Sequence, residues 1–213
     1  MREPVGTIVT LNRGTVCSLL VEWLWSLDRS RYHLVMPVGG EIARGRNVGV
    51  ETMRGDRLLF VDSDCVPEMD AADRLAAWDL PIVGAVVLER SGAFSVCTTK
   101  TFEPTTRYTL REVNGSEPIP VLATGTGCLM IRRAVLDAVE SPWFRCGQLL
   151  VEYLAEDTEF CLRAAESGFP TFVDPTVRVG HVVRGILWPA DADGTVWARW
   201  EGSAAREPLG AAS

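Results

Sequence analysis

The segment Leu58-Leu59-Phe60-Val61 is apolar at every position and runs directly into Asp62-Ser63-Asp64. A strand with one wet face alternates apolar and polar residues, whereas a strand covered on both faces reads as a continuous apolar run. Such strands belong to sheets with helices packed on both sides, and their carboxyl ends open onto the crevice where ligands bind. The chain therefore has to bury this strand inside an α/β layer structure and deliver two carboxylates to the open edge of the sheet.

The rest of the chain alternates in the same way. Val5 to Leu11 is a predicted first strand, and Leu19, Leu20, Trp23, Leu24 and Leu27 recur at helical spacing after Val16. Tyr32 to Met36 reads as a second strand, stopped by Pro37 and Gly39-Gly40. Ile42 to Met53 reads as a helix weakened by Gly45 and Gly49. Pro81 to Leu88 and Cys128 to Ile131 are further apolar strands, the latter followed by a short helix over Ala134 to Val139. Glu89 to Pro120 is broken by Pro104, Gly115 and Pro118, which predicts loops with one or two antiparallel strands. Asp157 to Ser167 reads as a helix with Gly168 as its stop residue, and Thr171 to Val173 and Val177 to Val183 as final strands. Trp188, Trp197 and Trp200 predict that the C-terminal stretch packs onto the main body, with the last eight or so residues loose. The expected organisation is one α/β domain over 1–183, a mixed central sheet flanked by helices, with an extension over 184–213.

Composition narrows the function classes. With 21 Lys and Arg against 28 Asp and Glu, the net charge is −7 and no basic cluster stands out, which argues against a nucleic-acid-binding role. The 6 cysteines are scattered without a Cys-x-x-Cys pair, so zinc knuckles and disulfide frameworks are not expected and buried thiols are. No apolar run is long enough to predict a membrane span, and Met1-Arg2-Glu3-Pro4 begins no signal-like stretch, so a cytoplasmic location is expected.

The pair Asp62 and Asp64 is the main chemical signal. Magnesium and manganese prefer carboxylate oxygens, and magnesium sites commonly combine one or two carboxylates with substrate phosphates. A turn after a strand also favours Asp and Ser, so the tripeptide alone does not decide the matter. Glu156-Asp157 opens a predicted helix, where the dipole favours acidic residues and a positioned carboxylate can also take a proton from a hydroxyl. The helix start is expected to lower that carboxylate's pKa and keep it ionised at neutral pH. His181 lies in the alternating run Val177 to Val183, and His33 in the second strand reads as structural.

Taken together these segments resemble the GT-A glycosyltransferases, especially the large inverting family two. The resemblance runs over roughly residues 5 to 183. Its elements are Ala43-Arg44-Gly45-Arg46-Asn47, the approach Gly55-Asp56-Arg57 to the Asp-x-Asp strand, Gly125-Thr126-Gly127 before Cys128 to Arg133, Glu156-Asp157, and His181. It implies a GT-A fold and a sugar transfer from a nucleotide diphosphate sugar to an acceptor hydroxyl, with inversion. It further implies Mn2+ or Mg2+ at Asp64 and His181, and Asp157 as base with Glu156 touching acceptor or sugar. Thr10, Asn12, Arg44, Asn47, Asp62 and Gly127 are implied contacts of the nucleotide sugar. An arginine of the 44–46 stretch either reaches the diphosphate or base or lies on a solvated helix face. Trp143-Phe144 either stacks on a sugar or packs in the core.

The sequence departs from processive synthases, since no Gln-x-x-Arg-Trp motif follows the helix. The small size leaves little room for an acceptor domain, which points to a partner or an oligomer at the acceptor side. Two other readings stay open: a sugar-phosphate nucleotidyltransferase, for which Asn12-Arg13-Gly14-Thr15 is a poor version of the expected loop, and a non-catalytic nucleotide-sugar binding module.

Overall fold

A computed structural model describes residues 5–12, 14–89, 95–102, 104–149, 152–182, 185–189, 195–200 and 207–211. In chain order the elements are β1 (Gly6–Val9), α1 (Ser18–Ser26), β2 (Tyr32–Val35), α2 (Ile42–Glu51), β3 (Arg57–Val61), β4 (Cys65–Pro67), α3 (Ala71–Ala77) and β5 (Ile82–Val87). Next come β6 (Ser95–Phe102), β7 (Thr105–Thr109), β8 (Ile119–Val121), β9 (Ala123–Thr124), β10 (Cys128–Arg132) and α4 (Arg133–Ala138). The last are β11 (Gly147–Leu149), β12 (Glu152–Leu154), α5 (Glu156–Glu166), β13 (Thr171–Val182), β14 (Gly185–Pro189), β15 (Thr195–Trp200) and β16 (Glu207–Ala211).

Among the described residues an 11-stranded sheet runs in the order β16-β15-β14-β13-β5-β10-β3-β1-β2, with β4 and β8 also paired to β13. β1 is parallel to both β2 and β3, and β5 is parallel to β13, while β10 runs antiparallel between β3 and β5. The sheet is therefore mixed and flanked by helices, as the alternation predicts. Its central strand β3 explains its own composition. Leu59 and Val61 enter one core with Leu20, Trp23 and Leu75 from α1 and α3. Leu58 and Phe60 enter the opposite core with Val50, Val135 and Phe160 from α2, α4 and α5.

The two glycines that weaken α2 as an isolated helix turn out to be its packing face. A Cβ on Gly45 would stand 2.8 Å from a Leu11 methyl, and one on Gly49 would stand 2.8 Å from Val9. Their absence lets the helix lie close on β1, so an arginine one residue past Gly45 reaches the end of β3.

Some boundaries differ from expectation. The two predicted final strands are one 12-residue strand, β13, whose pairing with β5 shifts register between Asp174 and Arg178. Pro175 has no N–H to give to the ladder at that bulge. Asp174 fills the gap by accepting from the Thr176 amide at 2.8 Å and from the Trp78 indole at 2.7 Å. The C-terminal extension adds β14, β15 and β16 to the same sheet, so its tail includes an edge strand at Glu207–Ala211. The expected boundary at 183–184 lies outside the described residues. No described helix is long and apolar enough to cross a membrane.

Candidate active site

At the carboxyl end of β3 the chain turns through Asp62-Ser63-Asp64 into β4, and each residue of the turn is held by a different neighbour. The Asp62 amide donates to Gly127 at 3.3 Å, the Ser63 carbonyl accepts from Cys17 at 3.0 Å, and the Asp64 carbonyl accepts from Val182 at 2.8 Å. The turn is thus pinned to the start of β10, the start of α1 and the end of β13, and its side chains line open space.

That space has two parts. A cleft of about 660 Å³ is lined by Thr15 to Ser18, Arg46, Asp62, Asp64 and Val182. A chamber of about 180 Å³ is lined by Cys65, Cys97, Thr126, Gly127, Asp157 and His181 among others. Asp62 lines both. The hydroxyl of Thr126, 1% exposed, has no hydrogen-bond partner among the described residues.

Arg46 organises the junction. Its side chain is 4% exposed, with Nε donating to Glu156 Oε1 at 3.1 Å and Nη1 to Asp62 at 3.2 Å. The guanidinium also lies over the Phe60 ring, 5.6 Å from its centroid. Burial alone would lower its pKa, but Asp62, Glu156 and Asp157 outweigh burial and hold it above the ordinary arginine value. The ion pairs tie the end of β3 to the first turn of α5, where Glu156 and Asp157 sit. Asp157 Oδ1 accepts from the Thr158 amide at 2.6 Å. The expectation that the helix start depresses the Asp157 pKa is corrected: burial raises it, with Glu156 and Asp62 adding repulsion that Arg46 and the Thr158 amide only partly offset. Desolvation is the largest of these causes.

His181 is placed by the β4–β13 ladder, where it lies directly opposite Cys65. Its Nδ1 is 2.7 Å from the Leu88 carbonyl, and a carbonyl can only accept, so Nδ1 carries the proton. Nε2 lies 3.6 Å from Asp64 Oδ2, and in the neutral form of the ring it carries the lone pair that a cation would use. A backbone carbonyl that fixes the tautomer in this way is the usual support of a metal-bound histidine. Among the described residues Asp64, Cys65 and His181 each place one ligand atom within 4.8 Å of the others. These donors suit a divalent cation. Burial pushes the Cys65 thiol well above its ordinary pKa and Cys97 up to about 12, so neither is a thiolate nucleophile at neutral pH.

Asp62, Asp64, Gly127, Asp157 and His181 are thus gathered around the cleft and chamber, with Glu156 joined to them through Arg46. Asn12, half-buried at the end of β1, accepts from the Gly14 amide at 3.0 Å, and Arg13 lies outside the described residues. Thr10 is buried, and its hydroxyl has no hydrogen-bond partner among the described residues. Arg44 and Asn47 are not brought to the cleft. Arg44 is exposed on the far side of α2, beside Arg145 and Cys146. Asn47 clamps the backbone of Phe144, donating to its carbonyl at 2.8 Å and accepting from its amide at 3.0 Å. Phe144 itself is core, stacked on Phe160 at 4.7 Å and edge-on to Phe60 at 5.1 Å, so it offers no face to a sugar. The signal for Arg46 was in the helical period: Ala43, Arg46 and Val50 fall on the buried face and Arg44 does not.

No protein-family model matches the chain, and no curated protein matches it. Its fold is shared with solved structures. The crystal structure of A197 from STIV aligns with a TM-score of 0.63 at 17% identity, covering 94% of this chain and 96% of that one. The inositol-1-phosphate CTP transferase from T. maritima aligns at 0.51 and 10% identity, covering 83% and 88%. S. aureus TarS 1-349 aligns at 0.50 and 16% identity over 80% of this chain, which spans 58% of that structure. The chain thus has a GT-A-type fold, with a mixed central sheet flanked by helices.

Proposed function

We propose that the protein is a glycosyltransferase that moves a sugar from a nucleotide diphosphate sugar to an acceptor hydroxyl. The observation that carries this reading is the junction at Asp62, where a cleft of about 660 Å³ meets a chamber of about 180 Å³ that contains Asp157. The larger space suits a nucleoside diphosphate and the smaller a single sugar ring, with the scissile bond near Asp62 and Asp64. Asp64 and His181 would hold a divalent cation, which when bound neutralises the charge that develops on a departing diphosphate.

The remaining chemistry belongs to the chain's own side chains. The acceptor oxygen forms a bond to the anomeric carbon as the carbon–oxygen bond to the diphosphate breaks, and the hydroxyl proton passes to the Asp157 carboxylate. A raised pKa suits that role, because a base works best with a pKa near the working pH. Arg46 keeps Glu156 and Asp62 in place, so the base lies on a rigid helix start. Direct displacement of this kind inverts the anomeric centre.

Asp157→Asn tests the assignment. Transfer should fall by about 100- to 10,000-fold while donor affinity stays at the parental level, since a general base acts only in the transition state. Retained transfer would remove Asp157 from the mechanism. Because a CTP transferase has the same fold, the assay should also separate products: nucleoside diphosphate supports sugar transfer, and pyrophosphate from a sugar phosphate and a nucleoside triphosphate would replace it with nucleotidyl transfer.

A further inference from the structure

We propose that Cys65 is a third protein ligand of the cation position at Asp64 and His181, so that the oxygen–nitrogen–sulfur set selects zinc over magnesium and manganese. The inference rests on reading Asp64 and His181 as cation ligands, and it adds a donor that the expectation of a hard, oxygen-bound cation leaves out.

Geometry supports it first. Cys65 and His181 are directly opposed residues of an antiparallel ladder, so their side chains leave the sheet on the same face. Asp64 precedes Cys65, and its carbonyl is tied to Val182 at 2.8 Å, which holds the strand ends together. One ligand atom from each of the three residues lies within 4.8 Å of the other two. Bonds of roughly 2.0–2.3 Å to a tetrahedral ion put donor atoms about 3.4–3.6 Å apart. Asp64 Oδ2 and His181 Nε2 already stand at 3.6 Å, so the thiol alone has to close the remaining gap of roughly 1 Å. The Cys65 sulfur packs against Gly127, where a Cβ would stand 3.1 Å away, so the glycine leaves room for the sulfur.

Donor chemistry then chooses the ion. Thiolate sulfur favours zinc, whereas magnesium and manganese are satisfied by carboxylate, carbonyl and water oxygens. Three protein ligands with a fourth position open to a substrate cleft is the pattern of zinc sites that do chemistry, rather than the closed four-ligand pattern of structural ones. On binding, a sulfur–zinc bond forms as the sulfur–hydrogen bond breaks. The proton leaves to the buffer, and neither sulfur nor zinc changes oxidation state. The Leu88 carbonyl on His181 Nδ1 is the outer-shell contact such a site needs.

The test uses the full chain stripped of metal and three probes: cobalt, zinc and manganese. Cobalt should produce a thiolate-to-metal charge-transfer absorption in the parent protein that Cys65→Ser abolishes and that replacement of the exposed Cys146 by serine leaves intact. Zinc affinity should fall at least about 10-fold in Cys65→Ser, the least that loss of an outer-shell contact costs, while manganese affinity stays unchanged. X-ray absorption at the zinc edge of the parent protein should show one sulfur at about 2.3 Å, a readout that holds even if Cys65→Ser does not fold. A cobalt band that survives in Cys65→Ser, or a zinc edge with nitrogen and oxygen neighbours only, would overturn the role of Cys65. Asp64-dependent manganese binding alongside either result leaves the cation reading standing, whereas loss of Asp64 dependence for every metal overturns both.

Discussion

Replacing Arg46 by methionine keeps most of the apolar stem and removes the charge ion-paired to both Asp62 and Glu156. The two carboxylates respond differently to that loss. The Asp62 side chain is 31% exposed and can recover water, whereas Glu156, at 12%, is left largely buried without the cation that stands 3.1 Å away in the parent. Breaking a buried pair from one side costs about 3–5 kcal/mol, and the partial exposure of Asp62 places this case near the lower end. For a chain of this size each kcal/mol lowers the unfolding midpoint by about 2–4 °C, so a fall of about 6–12 °C is expected. Adding Glu156→Gln removes the stranded charge, and the double variant should regain part of the loss, a coupling of about 0.5–3 kcal/mol in a urea-denaturation cycle. If Arg46→Met unfolds within about 0.5 kcal/mol of the parent, or if the two losses simply add, the ion-paired junction between β3 and α5 does not hold the site together.

The same geometry sets three further outcomes. Asp157→Asn should be more stable than the parent at neutral pH, because burial raises the Asp157 pKa and the folded state binds the proton more tightly than the unfolded one. Parental stability therefore falls as pH rises from the unfolded value of 3.8 through the folded value, and the advantage of Asn should vanish toward pH ~4 in denaturation profiles. Gly180→Ala should cost about 1–3 kcal/mol by overpacking, since a Cβ there would stand 2.4 Å from Ile186 and 2.5 Å from Trp188, and hydrogen exchange should show β14 loosening first. Asn47→Ala should destabilise the fold while leaving donor affinity unchanged in calorimetry, because both its amide atoms hold Phe144 and neither faces the cleft.

The parts legible in the sequence were those whose cause is local. An apolar run covered on both faces announced β3, helical spacing announced α1 and α5, and acids at a strand end and a helix start announced Asp62, Asp64 and Asp157. The parts that could not be read depend on partners far along the chain. The burial of Arg46 requires α5 to arrive 110 positions later with Glu156. Asn47 looks like a polar surface residue until the Phe144 backbone is placed against it. The two glycines of α2 read as weakness because propensity is local and close packing on β1 is not. Likewise the direction of the Asp157 pKa followed the helix dipole in sequence, and the surrounding protein reversed it. Cys65 carried no motif of its own, and only the pairing of β4 with β13 sets it across from His181.

A nucleotide diphosphate sugar bound at the junction of the cleft and chamber, through a cation held by Asp64, is the event on which the proposed activity depends. Titration calorimetry with a panel of nucleoside diphosphate sugars, with zinc, manganese, magnesium or chelator present, probes it in the parent protein and in Asp64→Ala. At least one donor should bind the parent with a cation, chelator should abolish that binding, and folded Asp64→Ala should show none of the cation-dependent part. Donor binding of equal strength in chelator and in Asp64→Ala, or no binding of any nucleotide sugar to the folded parent, would contradict the proposed activity.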